Sequence, residues 1–109
     1  EAIASYDQAI AVKPDKHEAW YNRGIALKKV GRYEEAIASF DKSLEFLPDD
    51  AGAYYNKALC YSLQGNIDQS IAHLNRAIEL DPDCREMAKT DSDFDAIRAD
   101  DRFRAIIDG

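Results

Sequence analysis

Glu35–Asp41 reads EAIASFD and Glu1–Asp7 reads EAIASYD, seven residues that differ only in the aromatic ring. A third copy, QSIAHLN at Gln69–Asn75, is degraded but in phase. The offset is 34 residues (1 to 35 to 69), and the chain around these segments keeps it. Trp20-Tyr21-Asn22-Arg23-Gly24 returns as Tyr54-Tyr55-Asn56-Lys57-Ala58, Gly31 returns as Gly65, and the prolines fall at Pro14, Pro48 and Pro82. A fixed period of this length marks an array of helical hairpins, each burying its apolar face against its neighbours. Function in such an array resides in a surface rather than in a reactive group.

Within each period the apolar residues recur at helical spacing. Ala2, Ile3, Tyr6, Ala9 and Ile10 form one stripe over Glu1–Lys13, and Pro14 cannot continue that helix because it lacks an amide donor. Asp15 with Glu18 has capping-box spacing, as has Asp83 with Glu86; Asp49 repeats the cap, with Gly52 in place of the glutamate. The next helix is predicted from about Lys16 to Val30, ending at Gly31, and its partner from about Tyr33 to Phe46. The pair recurs as about Asp50–Gln64, Gly65, then Ile67–Leu80. Connections this short make consecutive helices antiparallel. Small residues recur where those helices approach closely: Gly24 and Ala58; Ala2, Ala36 and Ser70; Ala9, Ser43 and Ala77. Larger ones lie between them: Trp20 and Tyr54, Leu27 and Tyr61, Tyr6, Phe40 and Leu74.

Trp20, Gly24, Leu27, Gly31, Tyr33, Ala36, Phe40, Ser43 and Pro48, followed by Tyr54, Ala58, Tyr61, Gly65, Ile67, Ser70, Leu74, Ala77 and Pro82, resemble the tetratricopeptide repeat. Ser43 and Ser70 stand where that family commonly has alanine, and Arg23 and Lys57 where it commonly has leucine. The resemblance implies an all-α fold, a right-handed superhelical stack of antiparallel helix pairs. Residues 1–16 would be the second helix of a truncated repeat, 17–50 and 51–84 full repeats, and 85–109 a capping tail. AKTDSDFDAIRADDRF (Ala88–Phe103) resembles a closing segment found after the last repeat of many bacterial members. With Met87, Phe94, Ile97, Phe103, Ile106 and Ile107 it is expected to form short helices over the open end of the stack.

At 109 residues the chain is one domain by length. No apolar run approaches the roughly 20 residues that span a bilayer. The net charge of −7 argues against nucleic acid or an anionic membrane as main partner, since both call for clustered Lys and Arg. Cys60 and Cys84 are read as reduced thiols of a cytoplasmic protein. The absence of an initial Met reads as a fragment whose upstream repeats are unknown.

No catalytic reading survives. His17-Glu18-Ala19-Trp20-Tyr21 lacks the second histidine of a zinc-protease motif, and His73 is expected to face solvent. Asp91, Asp93 and Asp95 lack the glycine and the final glutamate of a calcium loop and are expected to cap short helices. There is no glycine-rich phosphate loop and no nucleophile elbow. No enzyme activity, metal or cofactor is expected.

In the resembling family first helices line the concave face. That places Glu18, Tyr21, Asn22, Ile25, Lys28 and Lys29 there, followed by Gly52, Tyr55, Asn56, Leu59, Ser62 and Leu63; the spacing independently puts each set on one helix face. Tyrosine, isoleucine and leucine offer an apolar floor, and the asparagines can donate to and accept from a peptide backbone. Lys28 and Lys29 would favour an acidic ligand. A clamp for a chaperone C-terminal carboxylate is disfavoured, because Gly52 and Asn56 stand where it needs basic residues. The competing expectation is self-association, either through Ile3, Tyr6 and Ile10, left without the first helix of their repeat, or through the concave faces. Each such side chain left in water forgoes about 1.5–3 kcal/mol.

Overall fold

The computed structural model describes residues 2–13 and 15–109. Glu1 and the helix stop expected at Pro14 lie outside the described residues. Among them the chain forms α1 (Ala2–Val12), α2 (His17–Lys29), α3 (Tyr33–Phe46), α4 (Ala51–Leu63), α5 (Ile67–Leu80), α6 (Asp83–Thr90), a 3-10 segment (Ser92–Ile97) and α7 (Asp101–Asp108), with no strand. Consecutive helices from α1 to α5 pack in order, giving an elongated body of 44 × 25 × 20 Å. The expected all-helical stack of antiparallel pairs is what forms.

The reversals after α2 and α4 are built alike. Gly31 and Gly65 adopt φ of 84° and 79°, where a Cβ would be strained. Arg32 N–H donates to the Leu27 carbonyl at 2.9 Å and Gly31 N–H to Lys28 at 3.0 Å. Asn66 and Gly65 repeat this on Tyr61 and Ser62 at 2.8 and 2.9 Å. Both are Schellman endings that satisfy the last carbonyls and turn the chain back.

The starts of α2 and α4 fall one residue later than expected, and that of α6 one residue earlier. Asp50 rather than Asp49 caps α4, its carboxylate accepting from Gly52 N–H at 3.0 Å. Leu47 to Asp50 form a turn closed by Asp50 N–H on the Leu47 carbonyl at 3.3 Å. Pro48 and Asp49 occupy its two corners, so the extended backbone that a cap needs begins at Asp50. A bond from Lys16 to Lys13 at 3.2 Å closes the equivalent turn, leaving Lys16, not Asp15, at the start of α2 with no side-chain cap. Asp83 is already helical, and the carboxylate of Asp81 accepts its N–H at 3.0 Å.

Packing follows the alternation of large and small residues. A Cβ on Gly24 would stand 2.7 Å from the fully buried ring of Phe40, so α2 and α3 approach at a distance only glycine permits. Ser43 and Ser70, departures from alanine, tie each second helix to its first: their hydroxyls donate to the carbonyls of His17 and Ala58 at 3.0 and 2.7 Å. Arg23 and Lys57, departures from leucine, pair with Asp7 and Asp41 on the preceding second helix. These pairs are themselves one period apart. His73, expected in solvent, is half-buried with its ring 5.0 Å from Tyr61 and 6.2 Å from Tyr54. Arg76, one turn further along α5, packs on the same Tyr54 ring at 5.7 Å.

At Thr90 the period stops. The Arg98 guanidinium donates to the carbonyls of Lys89 and Asp91 at 2.9 and 2.6 Å, and more weakly to Ala88 at 3.4 Å. It thus satisfies orphan carbonyls at the end of α6. Phe94, Ile97 and Phe103 are buried with Leu74, Ala77 and Cys84, and Arg102 fastens α7 to Asp68 at 2.6 Å. Among the described residues no helix is long and apolar enough to cross a membrane.

Candidate functional site

The residues of the two first helices expected on the concave face meet different fates. On α4, Tyr55, Leu59 and Ser62 are buried at 3%, 3% and 0% exposure, because the chain's own segment Asp91–Ile97 lies across them. The Tyr55 hydroxyl donates to the Asp91 carboxylate at 2.9 Å, and the Ser62 hydroxyl to the Asp93 carbonyl at 2.7 Å. Phe94 meets the Tyr55 ring edge-on at 5.7 Å. Burial first, then the bond to Asp91, pushes the Tyr55 phenol well above the ordinary tyrosine range, so it stays a donor. The tail therefore covers more than the end of the stack; it also covers the face of α4 that was expected to be concave and open.

The same segment changes the charge of the groove. Lys28 donates to the Asp93 carboxylate at 2.9 Å with 15% of its side chain exposed, so its cation is satisfied within the chain. Lys29 remains exposed at the rim, and Leu63 is exposed at the edge of α4. The acidic preference expected of a Lys28–Lys29 pair thus rests on Lys29 alone. The sequence carried a signal for this in its run of alternating carboxylates, but nothing in it tied Asp93 to a lysine 65 residues earlier.

On α2 the face stays open. Glu18 and Asn22 are exposed, and Tyr21 and Ile25 half-buried. Asn56 is no longer available to a ligand as a donor: its amide donates to the Tyr21 hydroxyl at 3.0 Å and to the Gly52 carbonyl at 2.9 Å. A Cβ on Gly52 would meet the Tyr21 hydroxyl at 3.0 Å, which accounts for a glycine in place of the capping-box glutamate. Burial, and then the nearby Asp50 carboxylate, raises the Tyr21 pKa. His17, Glu18, Tyr21, Asn22 and Asp50 line a recess of about 260 Å³. Asp50 was not among the expected site residues; only the turn after Pro48 brings it to Tyr21.

The expected edge residues also separate. Ile3 is 8% exposed and belongs to the core with Leu27, Ala36 and Phe40, so it is not left open. Tyr6 and Ile10 are half-buried, whereas Ala2 and Ala9 are exposed. The period mates of Ala2, Tyr6 and Ala9, namely Ala36, Phe40 and Ser43, are all at 0%. The uncovered face of α1 is therefore the small-residue face that in α3 receives α2.

Cys60 and Cys84 are buried free thiols, and burial pushes Cys60 up to about 12. Among the described residues no group of three or more His, Cys, Asp and Glu could hold a metal ion.

A family model described as tetratricopeptide repeat matches residues 15–83. The chain belongs to the tetratricopeptide repeat family. Its fold is shared with YrrB, "a TPR protein with an unusual peptide-binding site", at 26% identity and TM-score 0.75 over 80% of this chain and 46% of that one. MamA from AMB-1 aligns at 26% identity and TM-score 0.70, over 72% of this chain and 46% of its own. Another MamA structure covers 97% of this chain and 63% of its own at TM-score 0.81, and at 20% identity shows the fold alone. An uncharacterized Methanocaldococcus jannaschii protein is 40% identical over 35 residues, 32% of this chain and 41% of that protein. This tetratricopeptide repeat chain thus spans about half the length of several relatives it matches.

Proposed function

We propose that this tetratricopeptide repeat chain is a non-catalytic interaction scaffold that receives an extended peptide segment on the concave face of α2. The observation that carries the reading is the tail itself. Asp91–Ile97 already lies across the face of α4 expected to be concave, held by Tyr55, Ser62 and Lys28. The face can therefore hold a non-repeat segment through side-chain bonds to its backbone and carboxylates. A partner would continue from that segment over Tyr21, Asn22 and Ile25, with Glu18 and Asp50 at one end and Lys29 at the other. The structural likeness to a protein with a peptide-binding site agrees with this choice.

The test replaces Asn22 with arginine, an exposed change that leaves the packing alone. Partners captured by the wild-type chain should be lost by Asn22→Arg while the melting temperature is unchanged. Equal capture by both proteins would remove α2 as the binding face.

A second reading is favoured by one observation, the exposure of Ala2 and Ala9 beside Tyr6 where the period mates are fully buried. Another copy, or a preceding helix, docked there would complete the repeat. A concave-face dimer is disfavoured on the α4 side, where Tyr55 is covered by the tail. Light scattering over a dilution series, with Ala9→Arg as the disrupting variant, tests the edge. A monomer at all concentrations would exclude it for this chain.

A further inference from the structure

α1 repeats the sequence of α3, and the structure shows what α3 receives. Phe40 packs on Gly24 of α2, and the Ser43 hydroxyl donates to the His17 carbonyl at 3.0 Å. Ala36, Phe40 and Ser43 are fully buried by this contact and its surroundings. One period earlier, Ala2 and Ala9 are exposed and Tyr6 is half-buried. Residues 1–7 and 35–41 differ only in Tyr6 against Phe40. The same surface is thus built twice and covered once.

A hollow of about 220 Å³ lies at this edge, bordered by Ala2 and Ile3 of α1 and by Ala26, Lys29 and Val30. One period later Ala36, Ile37 and Cys60 hold the places of Ala2, Ile3 and Ala26. There the fully buried Leu27 of α2 shares one core cluster with them. The hollow is therefore the place where the leucine of one more first helix belongs.

The ring on α1 adds a demand of its own. Phe40 leaves room for glycine alone at position 24, whereas the smaller Leu74 shares its cluster with Ala58, the period mate of Gly24. Tyr6 extends the phenyl ring by a hydroxyl, so the residue opposite it has no space for a methyl group. A folded second copy offers no such element, because its own Gly24 and Leu27 are buried.

We infer that the α1 edge binds a partner helix with the pattern of α2. That helix carries a glycine opposite Tyr6, a large apolar residue four positions before it and a leucine three positions after it, as in Trp20, Gly24 and Leu27. The inference rests on the edge reading given above, and it names the occupant.

The probe is a synthetic peptide of residues 16–31, the helix that α3 already receives, titrated into the isotope-labelled full chain. The backbone amides of α1 should shift saturably. Gly24→Ala in the peptide should weaken binding about fivefold or more, although alanine favours the helix, and Leu27→Ala should weaken it similarly. A scrambled peptide of the same composition controls for attraction between a basic peptide and an acidic chain. Ala9→Arg in the chain, at an exposed position, should abolish the shift. No saturable shift at α1, shifts at α3 in its place, or equal binding of the Gly24→Ala or scrambled peptide would overturn the inference. It fails separately from the reading beneath it. A chain that is monomeric at every concentration and still binds the peptide excludes a second copy and keeps the helix, whereas a dimer broken by Ala9→Arg that binds no peptide does the reverse.

Discussion

The hydroxyl of Tyr55 donates to the carboxylate of Asp91 at 2.9 Å, joining the middle of α4 to the point where the period is abandoned. A residue expected on an open concave floor is thereby a tether for the chain's own tail. Tyr55→Phe keeps the ring against Phe94 and removes only the bond. It should cost about 1.5–3 kcal/mol, the range for a hydrogen bond to a charged acceptor, read as a lowered urea midpoint. Backbone amides of 91–108 should exchange faster, while those of α2 and α3 are unaffected.

Arg98 closes the end of α6 through the carbonyls of Lys89 and Asp91. Arg98→Ala should release the tail more completely than Tyr55→Phe, by about 2 kcal/mol or more, since those carbonyls lose a cationic donor. Hydrogen exchange would show residues 91–108 opening as one unit. Unchanged exchange there would contradict this role.

Gly24 permits the contact with Phe40, and a methyl group would fall 2.7 Å from that ring. Gly24→Ala should therefore destabilise by about 1–3 kcal/mol, despite the better helix propensity of alanine. Ala58 holds the equivalent place above Leu74, and the double variant Gly24→Ala with Phe40→Leu should recover most of the loss. Thermal melts of the single and double variants test the pairing.

Burial, chiefly, lowers the His73 pKa below 6.5, and its Nδ1–H donates to the Gln69 carbonyl at 2.7 Å. The folded chain then binds fewer protons at this site than the unfolded chain. His73 contributes its stability above pH 6.5, and that contribution is lost as the pH falls through the lower folded value. His73→Gln should flatten the stability profile just below pH 6.5, measured by urea titration at several pH values. An identical profile in both proteins would exclude the histidine as its source.

The Cys60 thiol is fully buried and pushed up to about 12, so almost none of it is thiolate near neutral pH. Iodoacetamide at pH 8 should modify it only at the rate of unfolding, and variants that destabilise the stack should speed the reaction. Rapid labelling in the native chain would contradict this.

The repeat was legible because its signal is redundant. EAIASYD and EAIASFD, the two glycine endings and the alternation of Trp20, Gly24 and Leu27 with Phe40 all encode contacts within or between adjacent helices, at separations the period fixes. The cap of α4 was misplaced by one residue because Pro48 and Asp49 suit a turn and a cap about equally from sequence. Ile3 was read as uncovered because the stripe on α1 serves two neighbours, and sequence does not apportion its faces between them.

By itself, then, the sequence determined the helices, their antiparallel order and the surface expected to face inward. All of this follows from local propensity and from packing repeated every 34 residues. Only the tertiary structure decided that the tail turns back at Asp91 and covers the α4 part of that surface. The contacts of Lys28 with Asp93 and of Tyr55 with Asp91 span 65 and 36 residues and occur once. A contact made once has no period to announce it, and a carboxylate run reads the same whether its partner is water or a lysine 65 residues away.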